Sequence, residues 1–232
     1  MSQPHALIVG ASRGIGLGLA REFARRGWKV VATARDPGNA TELAALAADS
    51  NGQVGVVVVD TADVESSAAL AEALKNEVFD LVLINAGVGG PRDTSTLTVS
   101  DGAFTALFVT NALAPVRLAE MLVARVRPTV GVVAFMTSIL GSVEGASGGG
   151  FELYRASKAA LNSFTRSFAA RHKDKDFTVL SLHPGWVKTD MGGPNAPVSI
   201  EESTGGLADV IDRARSERAD GYFDYTGAPI PW

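Results

Sequence analysis

Short apolar segments rich in β-branched residues alternate along the chain with longer segments of helical periodicity. The apolar segments are nearly continuous rather than alternating, which is typical of strands buried on both faces of a parallel sheet. Six of them span residues 6–10, 29–34, 54–60, 80–86, 131–138 and 177–184. Residues 221–226 predict a seventh, short strand.

The segments between these strands predict helices at residues 14–26, 39–49, 65–76, 101–127, 153–172 and about 200–216. Regular alternation of strand and helix favours right-handed βαβ crossovers, because parallel neighbours need a connection that crosses the sheet. The sequence therefore predicts an α/β fold with a doubly wound parallel sheet and helices on both faces.

Length and composition fit one large domain better than two small ones, since the chain has 232 residues, 46% of them hydrophobic. A chain of this size buries roughly 70–75% of its unfolded surface and needs no metal or disulfide to fold. It has no cysteine, so disulfides are excluded and a reducing compartment is compatible.

The net charge of −4 offers no electrostatic footprint for nucleic acid. The first residues lack a basic region followed by a long apolar stretch, so no signal peptide is expected. No apolar run approaches the roughly 18–20 residues of a membrane span. We expect a cytoplasmic protein with neither a nucleic-acid nor a membrane partner.

A glycine-rich turn, GASRGIG, joins the first predicted strand to the first predicted helix. Gly10, Gly14 and Gly16 let the backbone turn tightly and approach a phosphate, and the helix N-terminus adds unpaired N–H groups with partial positive charge. The spacing is Gly-x3-Gly-x-Gly, and a tight turn packed for structural reasons is the alternative. The position at the first βα junction favours a dinucleotide-binding loop.

The end of the second strand bears on which dinucleotide binds. An acidic residue about 18–20 positions past the loop would bind the ribose hydroxyls of NAD, but Ala34 occupies that position and Arg35 follows it. Together with Arg13 of the glycine loop, Arg35 favours the 2′-phosphate of NADP(H), because guanidinium groups match phosphate geometry. Two solvated surface arginines are the alternative, and Asp36 leaves NAD(H) possible.

The chain resembles the short-chain dehydrogenase/reductase family over essentially its whole length. The matching pieces are, in family order, GASRGIG (10–16), Asp60, NAG (85–87), Asn111 in NALAP, Ser138 in TSILG, YRASK (154–158) and PGWVKTD (184–190). Each piece alone is weak, whereas seven in order are specific. The resemblance implies one Rossmann-type domain over residues 1–232, with a seven-stranded parallel sheet in the order 3-2-1-4-5-6-7.

The resemblance extends to a subgroup, the C-factor and Sniffer-like carbonyl reductases. The long SILG…GGG insertion, KTDMGGPNAP and the ending YFDYTGAPIPW carry it. It implies an NADPH-dependent oxidoreductase that transfers hydride between the nicotinamide and a carbonyl or alcohol substrate. A cofactor-binding signalling or redox-sensing protein with incidental turnover is the alternative, because C-factors are linked to cell–cell signalling.

The resemblance also implies the catalytic roles. Tyr154 is the general acid in reduction and the base in oxidation, and Ser138 hydrogen-bonds the substrate oxygen. Lys158, one helical turn from Tyr154 and on the same face, contacts the nicotinamide ribose. A free tyrosine titrates near 10, and the nearby ammonium is expected to lower that pKa. Asn111 supports a water-linked proton relay through Lys158.

The cofactor is implied to contact residues from several motifs at once. Asn85, Ala86 and Gly87 shape the adenosine pocket, and Asp60 contacts adenine or, alternatively, simply caps the following segment. The full expected set is Gly10, Ser12, Arg13, Gly14, Ile15, Gly16, Arg35, Asp60, Thr61, Asn85, Ala86, Gly87, Tyr154, Lys158, Pro184, Gly185, Val187 and Thr189. Val187 and Thr189 receive the nicotinamide carboxamide.

One departure from the family pattern concerns the serine. The gap from Ser138 to Tyr154 is about three residues longer than usual, and Ser142 lies closer to the usual distance. We prefer Ser138 because it precedes I-L-G in the family order, and the glycine-rich stretch 145–150 accommodates the extra residues.

The substrate pocket is expected between residues 88–97, 139–153 and a substrate loop at about 186–203. Its apolar candidates favour an apolar or aromatic carbonyl, and they are Leu140, Phe151, Trp186, Met191 and Pro194. Glycine and proline in residues 191–199 are typical of a mobile lid.

Two further expectations concern assembly and metals. Helices 101–127 and 153–172 are expected to pair across a two-fold axis in a homodimer, with a homotetramer as the alternative. The apolar residues expected in the core or in that interface are Phe104, Leu107, Phe108 and Leu118. The three histidines, His5, His172 and His183, have no metal-ligand spacing, so we predict no metal.

Overall fold

The computed structural model describes residues 3–91 and 95–232. Seven parallel strands form one sheet in the order β3-β2-β1-β4-β5-β6-β7. The strands are β1 (His5–Val9), β2 (Lys29–Ala34), β3 (Val54–Val58), β4 (Leu81–Ile84), β5 (Val132–Met136), β6 (Thr178–His183) and β7 (Gly221–Asp224). The predicted doubly wound parallel sheet and its strand order are confirmed.

Helices connect the strands and cover both faces of the sheet. They are α1 (Gly14–Arg25), α2 (Thr41–Asp49), α3 (Val64–Ala73), α4 (Asp101–Phe108), α5 (Ala114–Leu122), α6 (Glu152–Arg171) and α7 (Ile200–Glu217). Most predicted bounds differ from these by one to three residues. The predicted strands at 54–60 and 80–86 end early, at Val58 and Ile84, because the chain leaves the sheet there and turns along its edge.

The helix predicted at 101–127 is not uniform. After α4 the chain makes a π-helical turn over Val109–Leu113, continues as α5 and ends in a 3₁₀ turn at Val123–Arg125. Pro115 has no backbone N–H and cannot donate to the carbonyl of Asn111, four residues earlier, which accounts for the local break in the α-helical pattern. The π turn contains Asn111.

The same helical run corrects one expectation. By length and composition Asp101–Arg125 would pass as a membrane span, with a mean hydropathy of 1.4 over its most apolar window. Half of that window is buried inside the protein, as in the core helix of a soluble protein. The expectation that no segment resembles a membrane span was therefore too strict, but the fold explains the apolar composition through packing.

Two hydrophobic clusters flank the sheet, one on each face. On one face Ile8 and Leu83 pack with residues of α1 and α7, such as Leu19 and Leu207. On the other face the alternate strand residues, Leu7, Val82 and Phe135 among them, pack with α3, α5 and α6. Burial on both faces explains why the strands read as continuous apolar runs.

The carboxyl ends of the central strands meet at one edge of the sheet. Gly10 follows β1, Asn85 follows β4, Ser138 follows β5 and Pro184 follows β6. In open parallel sheets this edge, near the point where the strand order reverses, is where ligands bind. The predicted motifs are therefore neighbours in space although they are far apart in sequence.

Candidate active site

The glycine turn after β1 is packed too closely for side chains. A Cβ on Gly16 would lie 2.0 Å from the carbonyl oxygen of Gly10, and one on Gly10 would lie 2.8 Å from the Cα of Ala86. Asn85 closes the arrangement, because its Nδ2 donates a hydrogen bond to the same Gly10 oxygen over 2.8 Å. Thus Asn85 and Ala86 hold the turn against the end of β4.

The N-terminus of α1 is open to an anion. Arg13 occupies the N-cap without a side-chain capping hydrogen bond, and the first turn holds no acidic residue. Its N–H groups therefore keep their partial positive charge. Gly14 and Ile15 belong to this turn, and partly exposed Ser12 precedes it. Such a terminus suits a pyrophosphate.

The two predicted phosphate-binding arginines differ in their surroundings. Arg35 is exposed directly after β2 and has no ion-pair partner among residues 3–91 and 95–232. The neighbouring Asp36 accepts hydrogen bonds from the backbone N–H of Gly38 and the side chain of Asn39, so it caps its own turn. Arg13 instead forms an exposed ion pair with Asp190.

Asp60 and Thr61 lie just beyond β3. One carboxylate oxygen of Asp60 accepts from the N–H of Ala62 over 3.0 Å, and its own N–H donates to Ser66 Oγ over 2.9 Å. Asp60 thus caps the turn that follows β3, whereas the N-cap of α3 is Asp63, and Asp60 remains partly exposed at the sheet edge beside buried Thr61.

Ser138 and Tyr154 are brought together although they are far apart in the sequence. Ser138 lies two residues beyond β5, and its Oγ accepts from the N–H of Leu140 over 3.2 Å. Tyr154 lies in the first turn of α6, and its hydroxyl is close enough to the Ser138 side chain for the serine to act on its pKa. The alternative, Ser142, uses its Oγ to accept from the N–H of Gly145, within its own loop. The geometry therefore favours Ser138.

Lys158 is 4% exposed, and its Nζ donates to the backbone carbonyl of Met136 over 2.9 Å. The Nζ lies 5.9 Å from the centre of the Tyr154 ring. The sequence did not predict this contact with a carbonyl group. Every residue has a backbone carbonyl, so the residue types do not show which one accepts the hydrogen bond. The contact fixes the ammonium beside the tyrosine.

The pKa shifts differ from the expectation. Burial raises the pKa of Tyr154, and the hydrogen bond from Ser138 only opposes that rise. Burial also lowers the pKa of Lys158 to about 8. The expected lowering of the tyrosine pKa by Lys158 is not found, because both groups are desolvated and the lysine is bound to Met136.

Asn111 is fully buried in the π turn and is satisfied by its neighbours. Its Oδ1 accepts from the N–H of Val88, and its Nδ2 donates to the Val88 carbonyl, both over 2.8 Å, and to Ser157 Oγ over 3.1 Å. A Cβ on Gly87 would lie 3.3 Å from this Oδ1 and 3.4 Å from Lys158 Nζ. Asn111 thus joins the segment after β4 to α6.

The segment after β6 is held by hydrogen bonds. Ser203 Oγ donates to the Pro184 carbonyl over 2.6 Å, and Val187 pairs with Val198 in a short parallel bridge. Thr189 Oγ1 accepts from the N–H of Gly192 over 3.1 Å. Ser199 caps α7, so the loop predicted at about 186–203 ends at residue 199.

Gly185 lies where this segment begins, with a φ of +87°. A Cβ at this position would lie 3.0 Å from the ring of Tyr225, so a larger residue would be strained in both respects. Pro184 and Gly185 follow β6, and Gly185 therefore packs close to Tyr225, just after β7. This path brings Val187 and Thr189 to the edge of the sheet. Thr189 also reaches the glycine turn, since a Cβ on Gly14 would lie 3.5 Å from its Cγ2.

Apolar side chains stand exposed on the segments predicted to line the substrate pocket. Phe151 is 74% exposed, and Trp186 and Met191 are more than half exposed, while Leu140 is partly buried. Pro194 instead lines a cleft of about 510 Å³ with Arg13 and Asp190. Residues 92–94 of the predicted wall at 88–97 lie outside the described residues.

Two exposed residues of the predicted wall 139–153 were not named individually from the sequence. Ile139 opens the turn that follows Ser138 and is 50% exposed, and Val143, two residues after that turn, is 71% exposed. The SILG motif predicted a turn but not which of its side chains are exposed, because the exposure of a side chain depends on the other segments that pack against it.

The family model described as "short chain dehydrogenase" matches residues 4–197, and the chain belongs to this family of oxidoreductases. A solved carbonyl reductase from Pseudomonas aeruginosa PAO1 in complex with NADP is 42% identical over the full length of both chains, with a TM-score of 0.92. The carbonyl reductase Sniffer of D. melanogaster is 29% identical over both full lengths, with a TM-score of 0.90.

Among curated proteins, the C-signal of Myxococcus xanthus is 39% identical over 155 residues, which cover 66% of this chain and 92% of that protein. The predicted resemblance to the C-factor and Sniffer-like subgroup is therefore confirmed. Members of the family act on small molecules, as the open edge of the sheet would permit.

Buried Lys158 predicts how stability depends on pH. Its pKa is about 8 in the folded protein against a usual 10.5, so between these values the unfolded chain binds more protons and the free energy of unfolding rises with pH. Lys158→Met removes this contribution. In urea titrations from pH 7.5 to 10.5, the stability of the wild type relative to the variant should increase with pH.

The control for this measurement is Lys75→Met, which removes a lysine that is about half exposed on the surface. This variant measures the effect of losing a positive charge from a lysine that is not buried. A difference between wild type and Lys158→Met that stays flat or falls as the pH rises would contradict the assignment of a desolvated ammonium.

Proposed function

We propose that the protein is an NADPH-dependent carbonyl reductase, which transfers a hydride between the nicotinamide and an aldehyde or ketone, with the alcohol as the product. The observation that carries the proposal is the meeting of Ser138, Tyr154 and buried Lys158 at the same sheet edge as the glycine turn. The similar carbonyl reductase crystallised with NADP supports it.

The residues at the sheet edge fit a dinucleotide. The uncapped start of α1 and the closely packed Gly10 and Gly16 would hold the pyrophosphate. Arg35 would bind the 2′-phosphate, because Asp36 is engaged in its own turn. Asn85, Ala86, Gly87, Asp60 and Thr61 would border the adenosine, and Pro184, Gly185, Val187 and Thr189 the nicotinamide. When bound, NADPH supplies the hydride.

Ser138 and Tyr154 would hold the carbonyl oxygen of the substrate between them. Because Ser138 Oγ already accepts from the N–H of Leu140, its own proton is available for donation. Ser138 and Tyr154 would each donate a hydrogen bond to the substrate oxygen, and the two bonds would polarise the carbonyl. Tyr154 would then give its proton to that oxygen as the alcohol forms.

Lys158 would support the proton transfer electrostatically. With a pKa of about 8 it is mostly charged at neutral pH, and a positive charge beside Tyr154 favours the phenolate that remains after proton transfer. Asn111 holds the segment before Val88 close to Lys158 and would help to return a proton to the tyrosine along a relay that includes water.

The substrate would be apolar or aromatic. The exposed apolar side chains on the segments expected to line the substrate pocket are Ile139, Val143, Phe151, Trp186 and Met191. An exposed apolar group of this kind is stabilised when a ligand covers it. These side chains would also exclude water from the carbonyl, and the segment 186–199 would close over it as a lid.

The second candidate is a signalling or redox-sensing protein that binds the cofactor and turns over only incidentally. The similarity to C-signal favours it. The paired Ser138 and Tyr154 argue for turnover, since a binding protein needs no proton donor. We place either activity in the cytoplasm, where the absence of cysteine is compatible with reducing conditions; fractionation of cells would test this.

A homodimer is proposed from exposed aromatic residues on adjacent helices. Leu107 and Leu118 belong to the core, but Phe104 of α4 and Phe164 of α6 are each 41% exposed, and Phe104 stacks on Phe108 at 4.3 Å between ring centres. Large exposed aromatics at one face are typical of subunit interfaces. These helices would pair with their copies across a two-fold axis.

Light scattering should therefore give twice the chain mass of 24.1 kDa, or four times in a tetramer. Because the substitution places charge in the interface, Phe164→Glu should shift the protein to the monomer, whereas Ala45→Glu, at an exposed position of α2 on the opposite face of the sheet, should not. A wild-type protein of 24.1 kDa would refute the proposal.

Removal of Arg35 should weaken NADPH binding selectively. A hydrogen-bonded charge pair contributes about 1.5–3 kcal/mol, so Arg35→Ala should raise the dissociation constant of NADPH roughly 10- to 100-fold and leave that of NADH nearly unchanged. Fluorescence titration measures both. Arg21→Ala, which removes a surface arginine paired with Glu42, is the control. Wild-type protein that binds NADH as tightly as NADPH would move the assignment to Asp36.

Substitution of the two serines should distinguish their roles. Tyr154→Phe removes the proton donor and should lower kcat about 10²- to 10⁴-fold, and Ser138→Ala about 10²- to 10³-fold. Ser142→Ala should stay within a fewfold of wild type, because Ser142 caps its own loop. NADPH affinity should persist in all three. Loss of turnover in Ser142→Ala with retention in Ser138→Ala would refute the assignment.

A further inference from the structure

We propose that Tyr222, at the far edge of the sheet, is a positioning residue for the reaction. Its buried hydroxyl donates a hydrogen bond to the backbone carbonyl of Ser138 and thereby fixes the serine relative to Tyr154. The inference rests on the proposed function, since it assumes that Ser138 acts on a substrate carbonyl.

The contact joins the last strand to the end of β5. Tyr222 lies in β7, is 2% exposed and pairs in register with Ser181 of β6. Its hydroxyl crosses β6 to reach the Ser138 carbonyl. That oxygen also accepts from the N–H of Gly141 over 2.7 Å, inside the turn Ile139–Gly141. Tyr222 is thus the support that comes from outside the turn.

Asn162 lies beside this contact. Its side chain is close enough to the Tyr222 hydroxyl to act on its pKa, and its Nδ2 donates to the Gly141 carbonyl over 3.1 Å. Because a carbonyl oxygen can only accept, the phenol proton of Tyr222 is directed to the Ser138 carbonyl. The turn after Ser138 is therefore held at both ends from the same buried pair of side chains.

Trp232 packs against Tyr222. Its ring centre lies 5.3 Å from that of Tyr222, and the guanidinium of Arg166 lies 5.3 Å from the centre of the Trp232 ring. Its backbone carbonyl accepts from the N–H of Glu144 over 3.0 Å, so it also fastens the loop that leads towards Tyr154. Trp232 thus links Tyr222 to the loop between Ser138 and Tyr154.

The phenol remains a donor throughout the range in which the enzyme would work. Burial raises the pKa of Tyr222 to about 12, and the nearby Tyr154 acts in the same direction. Since Tyr222 touches only the backbone of Ser138, it takes no part in proton transfer itself. Its effect must pass through the position of the serine hydroxyl, for which small displacements reduce catalysis.

Tyr222→Phe removes only this hydroxyl, and the Ser138 carbonyl keeps its bond from Gly141, so the fold should persist. Loss of one positioning hydrogen bond should lower kcat about three- to tenfold. The measurement is steady-state reduction of 4-nitrobenzaldehyde with NADPH, together with NADPH titration and thermal unfolding. NADPH affinity should be unchanged. The matched control is Tyr225→Phe, whose hydroxyl lies 3.5 Å from the surface carboxylate of Glu202.

A double-mutant cycle separates positioning from general support of the fold. Under single-turnover conditions, Tyr222→Phe should have no further effect in a Ser138→Ala background, where no serine hydroxyl remains to be placed. In an Arg35→Ala background its three- to tenfold effect should persist in full. An equal loss in both backgrounds, or wild-type kcat in the single variant, would overturn the inference.

Failure of the proposed function gives a different pattern. If the wild type reduces the aldehyde, and Ser138→Ala and Tyr154→Phe are impaired while Tyr222→Phe is not, only the positioning role is refuted. If Ser138→Ala and Tyr154→Phe both turn over like the wild type, the proposed function fails, and the inference is overturned with it.

Discussion

The buried ammonium of Lys158 is the constraint on which much of the site depends. A charged group in the interior needs a partner, and here it is the carbonyl of Met136, the last residue of β5. Room for the lysine comes from two glycines. A Cβ on Gly141 would lie 2.9 Å from the Lys158 Cβ, and one on Gly87 would lie 3.4 Å from its Nζ. The end of β5, the turn after Ser138 and the segment after β4 therefore all pack against the side chain of Lys158.

The parallel sheet explains why these segments meet. Continuous burial of the strands on both faces leaves the edge formed by their carboxyl ends as the place where polar groups can collect. The side-chain amides of Asn85 and Asn111 then donate hydrogen bonds that fasten the segment after β4 to the glycine turn and, through Ser157, to α6. Stability and chemistry share the same contacts, because the side chains that close the fold at this edge also shape the site.

Much of this could be predicted from the sequence, because it rests on local pattern. Alternating apolar runs and helices predicted the sheet, and motif order predicted which residues follow its strands. The π turn at Asn111 was missed, although Pro115 was the physical reason for it. Pairing of Arg13 with Asp190 and the approach of Tyr222 to Ser138 join residues that are far apart in the chain. Contacts of this kind depend on the assembled fold.

The pKa shifts show the same limit. The sequence places Lys158 one helical turn from Tyr154, and this spacing alone favours a lowered tyrosine pKa. The structure adds desolvation, which raises the pKa of Tyr154 and lowers that of Lys158. Burial is a property of everything packed around a group, so its dominance over a neighbouring charge could not be read from spacing.

Transfer of deuterium from 4-deuterated NADPH, each face labelled in turn, tests the central claim most directly. The wild-type protein is incubated with an aromatic aldehyde, and the alcohol is analysed by mass spectrometry. The account predicts that one of the two labelled cofactors delivers its deuterium to the carbonyl carbon, one for each NADPH oxidised. Oxidation without deuterium in the alcohol from either cofactor, or no alcohol at all from a range of apolar carbonyls, would contradict it.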